Sequence, residues 1–287
     1  MRNVFVRQEE AVAGAVTVVL VIALVAILMS YYVSVVVPST MSQYEYTMDQ
    51  GLDASILQFS SDLVSMASTG TIGAVDFQNF ILESGSIPVL SSPSYASLSF
   101  TSAVRNGPFS YSVYASDKIT TLPTSTFYGG GGMEIVNGNR FYSPGFLYYQ
   151  GGAIYETNSV SATTQSPISL STILEYSPGT DTYYFSLFNI YGTAQQVSSG
   201  SVDLELEYSG TSTLSTTLTQ SLPVDVNFTS SNAAMVFYQG AVQLFGSNNV
   251  QFVSGSQNMD VSFVIPSGVN VDFSVSSFAL SEYGLVK

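Results

Sequence analysis

Cysteine, histidine and tryptophan are missing from this 287-residue sequence. Without Cys there is neither a disulfide frame nor a thiolate metal site, so sulfur chemistry gives no clue to the redox compartment. Without His the usual nucleophilic triads and the commonest transition-metal ligand are excluded. Charge is scarce too, at 9% of residues against ~25% in average soluble proteins. What charge there is leans acidic, with Lys+Arg 6 and Asp+Glu 20 for a net charge of -14. Six basic residues leave no footprint for a phosphate backbone, which excludes nucleic acid as a partner. The carboxylates are too thin for a halophile's surface, and a low total charge equally suits a strongly acidic medium. No period of ~20–50 residues repeats, so a solenoid is excluded as well.

What the chain does have is one unbroken apolar run, Ala11 to Val37, preceded by Arg2, Arg7, Glu9 and Glu10. As a helix at ~1.5 Å per residue it reaches roughly 40 Å, more than the ~30 Å of a bilayer's hydrocarbon. Arg2, Arg7 and the α-amino group stand on one side of it, and no basic residue follows before Arg105. The positive-inside rule then predicts a cytoplasmic N-terminus and an external C-terminal domain. A cleaved secretory signal fits poorly, because its apolar core runs only ~7–15 residues and the small residues Ala11, Ala13, Gly14 and Ala15 precede the run instead of following it. Gly14, Ala15, Thr17, Ala23, Ala26 and Ser30 include small residues three or four apart. That spacing suits close helix–helix packing, and a plain single-span anchor accounts for it too.

Beyond Pro38, the residues Met41, Tyr44, Met48, Leu52, Ile56, Phe59, Leu63 and Met66 recur at three- and four-residue steps. They predict an amphipathic helix over Thr40 to Ala67, with Pro38 kinking or restarting it, Ser39 or Thr40 capping it, and Gly70 and Gly73 ending it.

A short N-terminus with Arg and Glu, a long apolar helix, an amphipathic continuation and a β-rich remainder follow one another here. In that order of features residues 1–70 resemble archaeal type IV pilin-like proteins, and the remainder resembles them in class alone. The resemblance implies an apolar helix held in the bilayer before assembly and packed into a filament core by self-association afterwards, with a β domain facing outward, no enzymatic activity and no cofactor. In that family a prepilin peptidase site sets a small residue just after the basic one, whereas Arg7 is followed by Gln8, Glu9 and Glu10. Cleavage near Gln8 would make a filament subunit, and its absence a permanently anchored surface protein. The stretch Arg140 to Glu156, RFYSPGFLYYQGGAIYE, also resembles a strand-rich segment of pilin-like archaeal envelope proteins.

The expected fold class is α+β: a long helical segment in residues 1–70, then an all-β antiparallel sandwich-like domain in residues 71–287, with a subdivision near 161–169. Short strands separated by turns are predicted from Ala96 onward. Phe109 to Ala115 alternates, Met133 to Tyr142 reads as a hairpin about Asn137-Gly138, and Leu147 to Tyr155 breaks at Gly151-Gly152. Ile173 to Tyr176 and Tyr183 to Ile190 flank the turn sequence Ser177-Pro178-Gly179-Thr180. Val202 to Tyr208, Val224 to Phe228, Ala234 to Tyr238, Ala241 to Phe245, Val250 to Val253, Met259 to Ile265 and Val271 to Leu280 complete the set.

Four features invite chemistry. Asp203, Glu205 and Glu207 alternate with apolar residues, so carboxyls ~7 Å apart share one strand face. They can bind Ca²⁺ or work as an acid/base pair, or simply form a solvated face that discourages edge pairing. Gly129 to Gly132 lacks the Lys-Ser/Thr of a phosphate loop and predicts a flexible loop. Asn227-Phe228-Thr229 is an N-glycosylation triplet, usable outside the cell. The 19 Tyr and 18 Phe cluster at Tyr142 to Tyr155 and Tyr183 to Tyr191. They serve sheet packing, or they stack on sugars, which would make the protein a membrane-anchored adhesin binding surface glycans through Tyr148 and Tyr149.

Overall fold

A computed structural model describes residues 2–115, 125–142, 145–158, 165–169, 173–192, 196–197, 200–254 and 259–283. One continuous helix opens the chain, as α1 (Arg2–Tyr31), a π-helical turn (Tyr32–Val36) and α2 (Val37–Thr69). At ~1.5 Å per residue it extends roughly 100 Å. Pro38 neither stops nor restarts it, and no side chain caps it there, contrary to the roles expected of Ser39 and Thr40. The reason lies one turn earlier. Proline lacks an N–H and crowds the carbonyl four residues back. The preceding turn widens so that the Val37 N–H donates to the Tyr32 carbonyl, five residues back, and the chain passes Pro38 without breaking. At the far end Gly70 adopts φ 64° and donates its N–H to the Met66 carbonyl, closing α2 where the sequence predicts.

The strands follow in order: β1 (Val75–Ile81), β2 (Ala96–Thr101), β3 (Tyr111–Ala115), β4 (Ser125–Gly129), β5 (Gly132–Asn137), β6 (Gly145–Gln150), β7 (Ala153–Asn158) and β8 (Gln165–Ser169). Then come β9 (Leu174–Ser177), β10 (Thr182–Gly192), β11 (Gln196–Val197), β12 (Ser201–Thr217), β13 (Leu222–Phe228), helix α3 (Ser231–Phe245), β14 (Val250–Ser254), β15 (Met259–Ile265) and β16 (Asn270–Tyr283). They form three sheets, ordered β1-β12-β16-β10-β9, β11-β2-β5-β6-β7-β8 and β14-β15-β13-β3-β4. Their pairings are antiparallel, except that β10 runs parallel to β16 from Thr182↔Asn270 to Gly192↔Leu280. The chain is therefore α+β, a long N-terminal helix followed by a mostly β domain.

Two hydrophobic cores fill this domain. One collects α2, Phe80, β2, β5, β6 and the C-terminal halves of β10 and β16, with Ile56, Phe59, Leu98, Ile135, Tyr149 and Phe278 at its centre. The other collects β3, β13, β15, α3 and the N-terminal halves of β10 and β16 around Val113, Phe185, Val226, Phe237, Phe263 and Phe273. Neither core is contiguous in sequence, because the paired β10 and β16 contribute to both. Residues 161–164, in the stretch where a subdivision is expected, lie outside the described residues, and β8 beyond them pairs with β7.

Three local expectations need correcting. Ala234 to Tyr238 and Ala241 to Phe245 are not strands but the helix α3, so the domain is not all-β. Ser230 accepts a hydrogen bond from the Ala233 N–H as its N-cap, and Ala233, Ala234, Val236, Phe237 and Ala241 form the buried face. Asn137-Gly138 is no hairpin turn, since β5 ends at Asn137 and β6 begins only at Gly145. The β6–β7 hairpin instead turns at Gly151 and Gly152, with φ 56° and 74°. Finally, Gly129 to Gly132 is a buried, close-packed crossing and not a flexible loop. A Cβ at Gly129 would fall within the Tyr111 ring, and one at Gly131 would lie 2.6 Å from the Ile190 carbonyl oxygen. Gly130 donates to the Phe188 carbonyl and accepts from the Ile190 N–H, tying the crossing to β10.

Candidate functional site: an apolar helix locked to a β head

No residue from Gly14 to Val36 is buried. This stretch has mean hydropathy 2.6 over its most apolar window, and Leu20, Ile22 and Ile27 are 64, 62 and 66% exposed. Each such side chain gains ~1.5–3 kcal/mol on leaving water, so the segment calls for an apolar surrounding that the described residues do not supply. It is one helix long and apolar enough to cross a membrane. Tyr31 and Tyr32, 60 and 39% exposed, stand where the apolar run meets the β head, the position at which amphipathic rings favour a bilayer interface. At ~100° per residue Ala15, Ala23, Ala26 and Ser30 fall on one face spanning about 80°. Gly14 lies off that face, with open space around its Cα. Arg7, Gln8 and Ala11 belong to α1, but their side chains lie outside the described residues.

From Val37 the helix changes character. Val37, Met41, Met48, Leu52, Ile56, Phe59, Leu63 and Met66 are buried against the head, whereas Tyr44, expected on that face, is 40% exposed. The buried place next to it belongs to a carboxylate. Glu45, 0% exposed, accepts from the Ser94 hydroxyl and the Arg140 N–H (2.9 Å) at Oε1, and from the N–H groups of Phe141 (2.8 Å) and Tyr142 (2.6 Å) at Oε2. Burial pushes its carboxyl up, but the four donors outweigh that and hold it below the usual carboxylate value. Three successive backbone N–H groups thus close on one side chain from the helix, a nest for a negative charge.

One turn on, Asp49 accepts from the side-chain amides of Asn137 (2.7 Å) and Asn139 (2.9 Å). Burial, with the like charges of Asp53, Glu156 and Glu45, pushes its carboxyl up to about 7 despite the Asn139 hydrogen bond. Burial and Glu156 likewise push Asp53 up to about 6. These carboxyls line a cleft of ≈ 70 Å³ with Tyr46, Asn137 and Tyr142. Among the described residues no three carboxylates are grouped so as to hold a metal ion.

No protein-family model, curated protein or solved structure matches this chain.

The other sequence-selected residues fall elsewhere. Along β12, Val202, Leu204, Leu206 and Tyr208 are buried while Asp203 and Glu207 are exposed and Glu205 is half-buried, so period 2 holds and the three carboxyls share the outer face. Asp203 accepts from the Asn79 side chain on β1. Tyr149 and Tyr155 are core residues, the first set edge-on to Phe59 of α2 at 5.4 Å, and the Tyr148 hydroxyl donates to Glu134. This part of the tyrosine cluster packs the sheets and offers no open stacking face. Asn227 sits within β13, half-buried, donating to Asp260, and Thr229 donates to the Pro108 and Ser110 carbonyls. Residue-level reading missed Glu45. Its signal is a lone carboxylate one position after Tyr44, on the turn between the buried Met41 and Met48.

Proposed function

We propose that this protein is a non-enzymatic, pilin-like cell-surface protein, whose apolar helix resides in the bilayer with the N-terminus cytoplasmic and then packs with its copies in a filament core. The β head faces outward and presents a surface. One observation carries this reading: an apolar helix without burial from Gly14 to Val36 continues without a break into a helix fixed to the head by Glu45 and by one of its two cores. A flexible tether would suffice for an anchor alone, whereas a stiff rod locked to its head suits a subunit that must hold a fixed orientation among neighbours. The small face of Ala15, Ala23, Ala26 and Ser30 supports close packing between such rods.

Electron microscopy of cells making the full chain, with N-terminal sequencing of the mature protein, tests the proposal. Filaments carrying a new terminus near Gln8 are the expected result. An intact Met1 on dispersed, membrane-bound copies would leave a singly anchored surface protein and remove the filament. Ala26→Leu should abolish filaments while leaving membrane insertion intact, because it blocks close approach without reducing apolarity.

A further inference from the structure

A second concavity lies on the head, and no residue of the long N-terminal helix lines it. It is a cleft of ≈ 170 Å³ between the 103–106 turn, β3, the Gly129-Gly130 crossing and β10. Its floor is firm: the Ala103 N–H donates to the Ile190 carbonyl (2.7 Å), and Gly130 and β10 exchange two further backbone bonds. Its walls carry Arg105, Ser112, Tyr128, Asn189, Tyr191 and Asn227. The size is below the ~300–1,000 Å³ of pockets that enclose drug-sized ligands, so it admits one small polar ring and not a chain.

Arg105 is the unusual element. It is one of six basic residues facing twenty acidic ones, yet its guanidinium pairs with none of the carboxylates among the described residues. It lies instead over the Tyr128 ring at 4.3 Å from the centroid and donates to the Tyr128 hydroxyl. A guanidinium keeps several donors when one is engaged, and its planar fork matches a carboxylate. Beside it, the Ser112 and Tyr191 hydroxyls make no hydrogen bond among the described residues, and Asn189 spends only its amide, on the Tyr128 carbonyl at 3.2 Å. Tyr191, 48% exposed, offers a ring face at the mouth. A cation held in place, unspent hydroxyls, the free side-chain oxygen of Asn189 and the open face of Tyr191 together match one chemistry: a ring rich in hydroxyls that bears a carboxylate.

We propose that this cleft binds a hexuronic acid residue, with Arg105 taking the carboxylate, Ser112 and Asn189 the ring hydroxyls, and Tyr191 the sugar's apolar face. The site is independent of whether the chain forms filaments or stays singly anchored.

The test is titration of the full chain in detergent with D-glucuronate, D-glucose and a glucuronate-terminated oligosaccharide, followed by calorimetry and by ligand-observed NMR. Glucuronate should bind at least ~10-fold tighter than glucose, the scale of hydrogen bonds to a charged partner, and added salt should shrink the gap. The oligosaccharide binding as tightly as the monosaccharide, or tighter, identifies a glycan end as the source, and its exclusion identifies a free sugar acid. Arg105→Gln should bring glucuronate and glucose within ~2-fold of each other, with the melting temperature unchanged because Arg105 is exposed. Ser112→Val, which removes one wall hydroxyl and narrows the cleft, should weaken both ligands at least ~10-fold. Equal affinity for glucose and glucuronate, or glucuronate binding that survives both substitutions, overturns the proposal.

Discussion

Replacing Glu45 with Gln tests how the helix is held to the head. The carboxylate accepts four hydrogen bonds, three of them from the consecutive N–H groups of Arg140, Phe141 and Tyr142. A glutamine has one accepting oxygen and one donating nitrogen. Its best placement puts the nitrogen toward Ser94, whose hydroxyl can turn to accept, so Phe141 and Tyr142 keep an acceptor. The Arg140 N–H then loses its partner, and the two surviving bonds to the oxygen become neutral. Hydrogen bonds to charged groups contribute ~1.5–3 kcal/mol and neutral ones about 1, so even at the low end of that range the loss is about 3 kcal/mol. At ~2–4 °C per kcal/mol for a domain of this size, the melting temperature should fall by about 6–12 °C. Circular dichroism melts of the full chain in detergent measure the fall, and hydrogen exchange at the amides of residues 140–142 should accelerate with it. The pH dependence carries a second check. A carboxyl held below its ordinary value contributes fully above that value and loses the contribution as pH falls through the folded one. The gap between the unaltered protein and the Glu45→Gln variant should therefore close in acid. A fall of under ~2 °C at neutral pH, with exchange at 140–142 unchanged, would refute the lock.

Asp49 and Asp53 carry the opposite sign. With carboxyls pushed up to about 7 and about 6, the folded state binds more protons than the unfolded chain between about pH 4 and 7. Their contribution is largest below that window and declines as pH rises through it, so Asp49→Asn should flatten the decline between pH 5 and 7.5 and raise the melting temperature at pH 8. Its new amide can also donate to the Asn137 Oδ1, which is buried without a hydrogen-bond partner. Gly129→Ala forces a methyl into the Tyr111 ring and should cost ~1–3 kcal/mol or more by overpacking, read as a lower melting temperature. Ser230→Ala removes the N-cap of α3 and should cost ~1 kcal/mol. Denaturant titration would show it as a lower midpoint with an unchanged slope.

Much of the fold is legible where one physical rule acts alone. The stripe from Met41 to Met66 follows helical period because one face meets a core, and Val202 to Tyr208 alternates because one face of β12 meets water. Legibility fails where rules compete. The run Ala233 to Tyr238 has the apolar density of a strand, and only the Ser230 cap and the four-residue step from Phe237 to Ala241 mark it as a helix. Gly129 to Gly132 looks pliant in isolation, but at Gly129, Gly131 and Gly132 the residues Tyr111, Ile190 and Phe109, remote or folded back in the chain, leave no room for a Cβ. Three of the four partners of Glu45 are backbone groups about a hundred positions away, which no residue type encodes, and the walls of the Arg105 cleft come from segments spread over more than a hundred residues.

The widened turn at Tyr32–Val36 sets a compass bearing. A π turn holds one extra residue, and at 3.6 residues per turn that residue swings everything on its N-terminal side by about 100° around the long axis. The azimuth between the alanine face and the head is thus fixed by five residues. Deleting one of them would leave every other contact intact yet point the head a quarter-turn away.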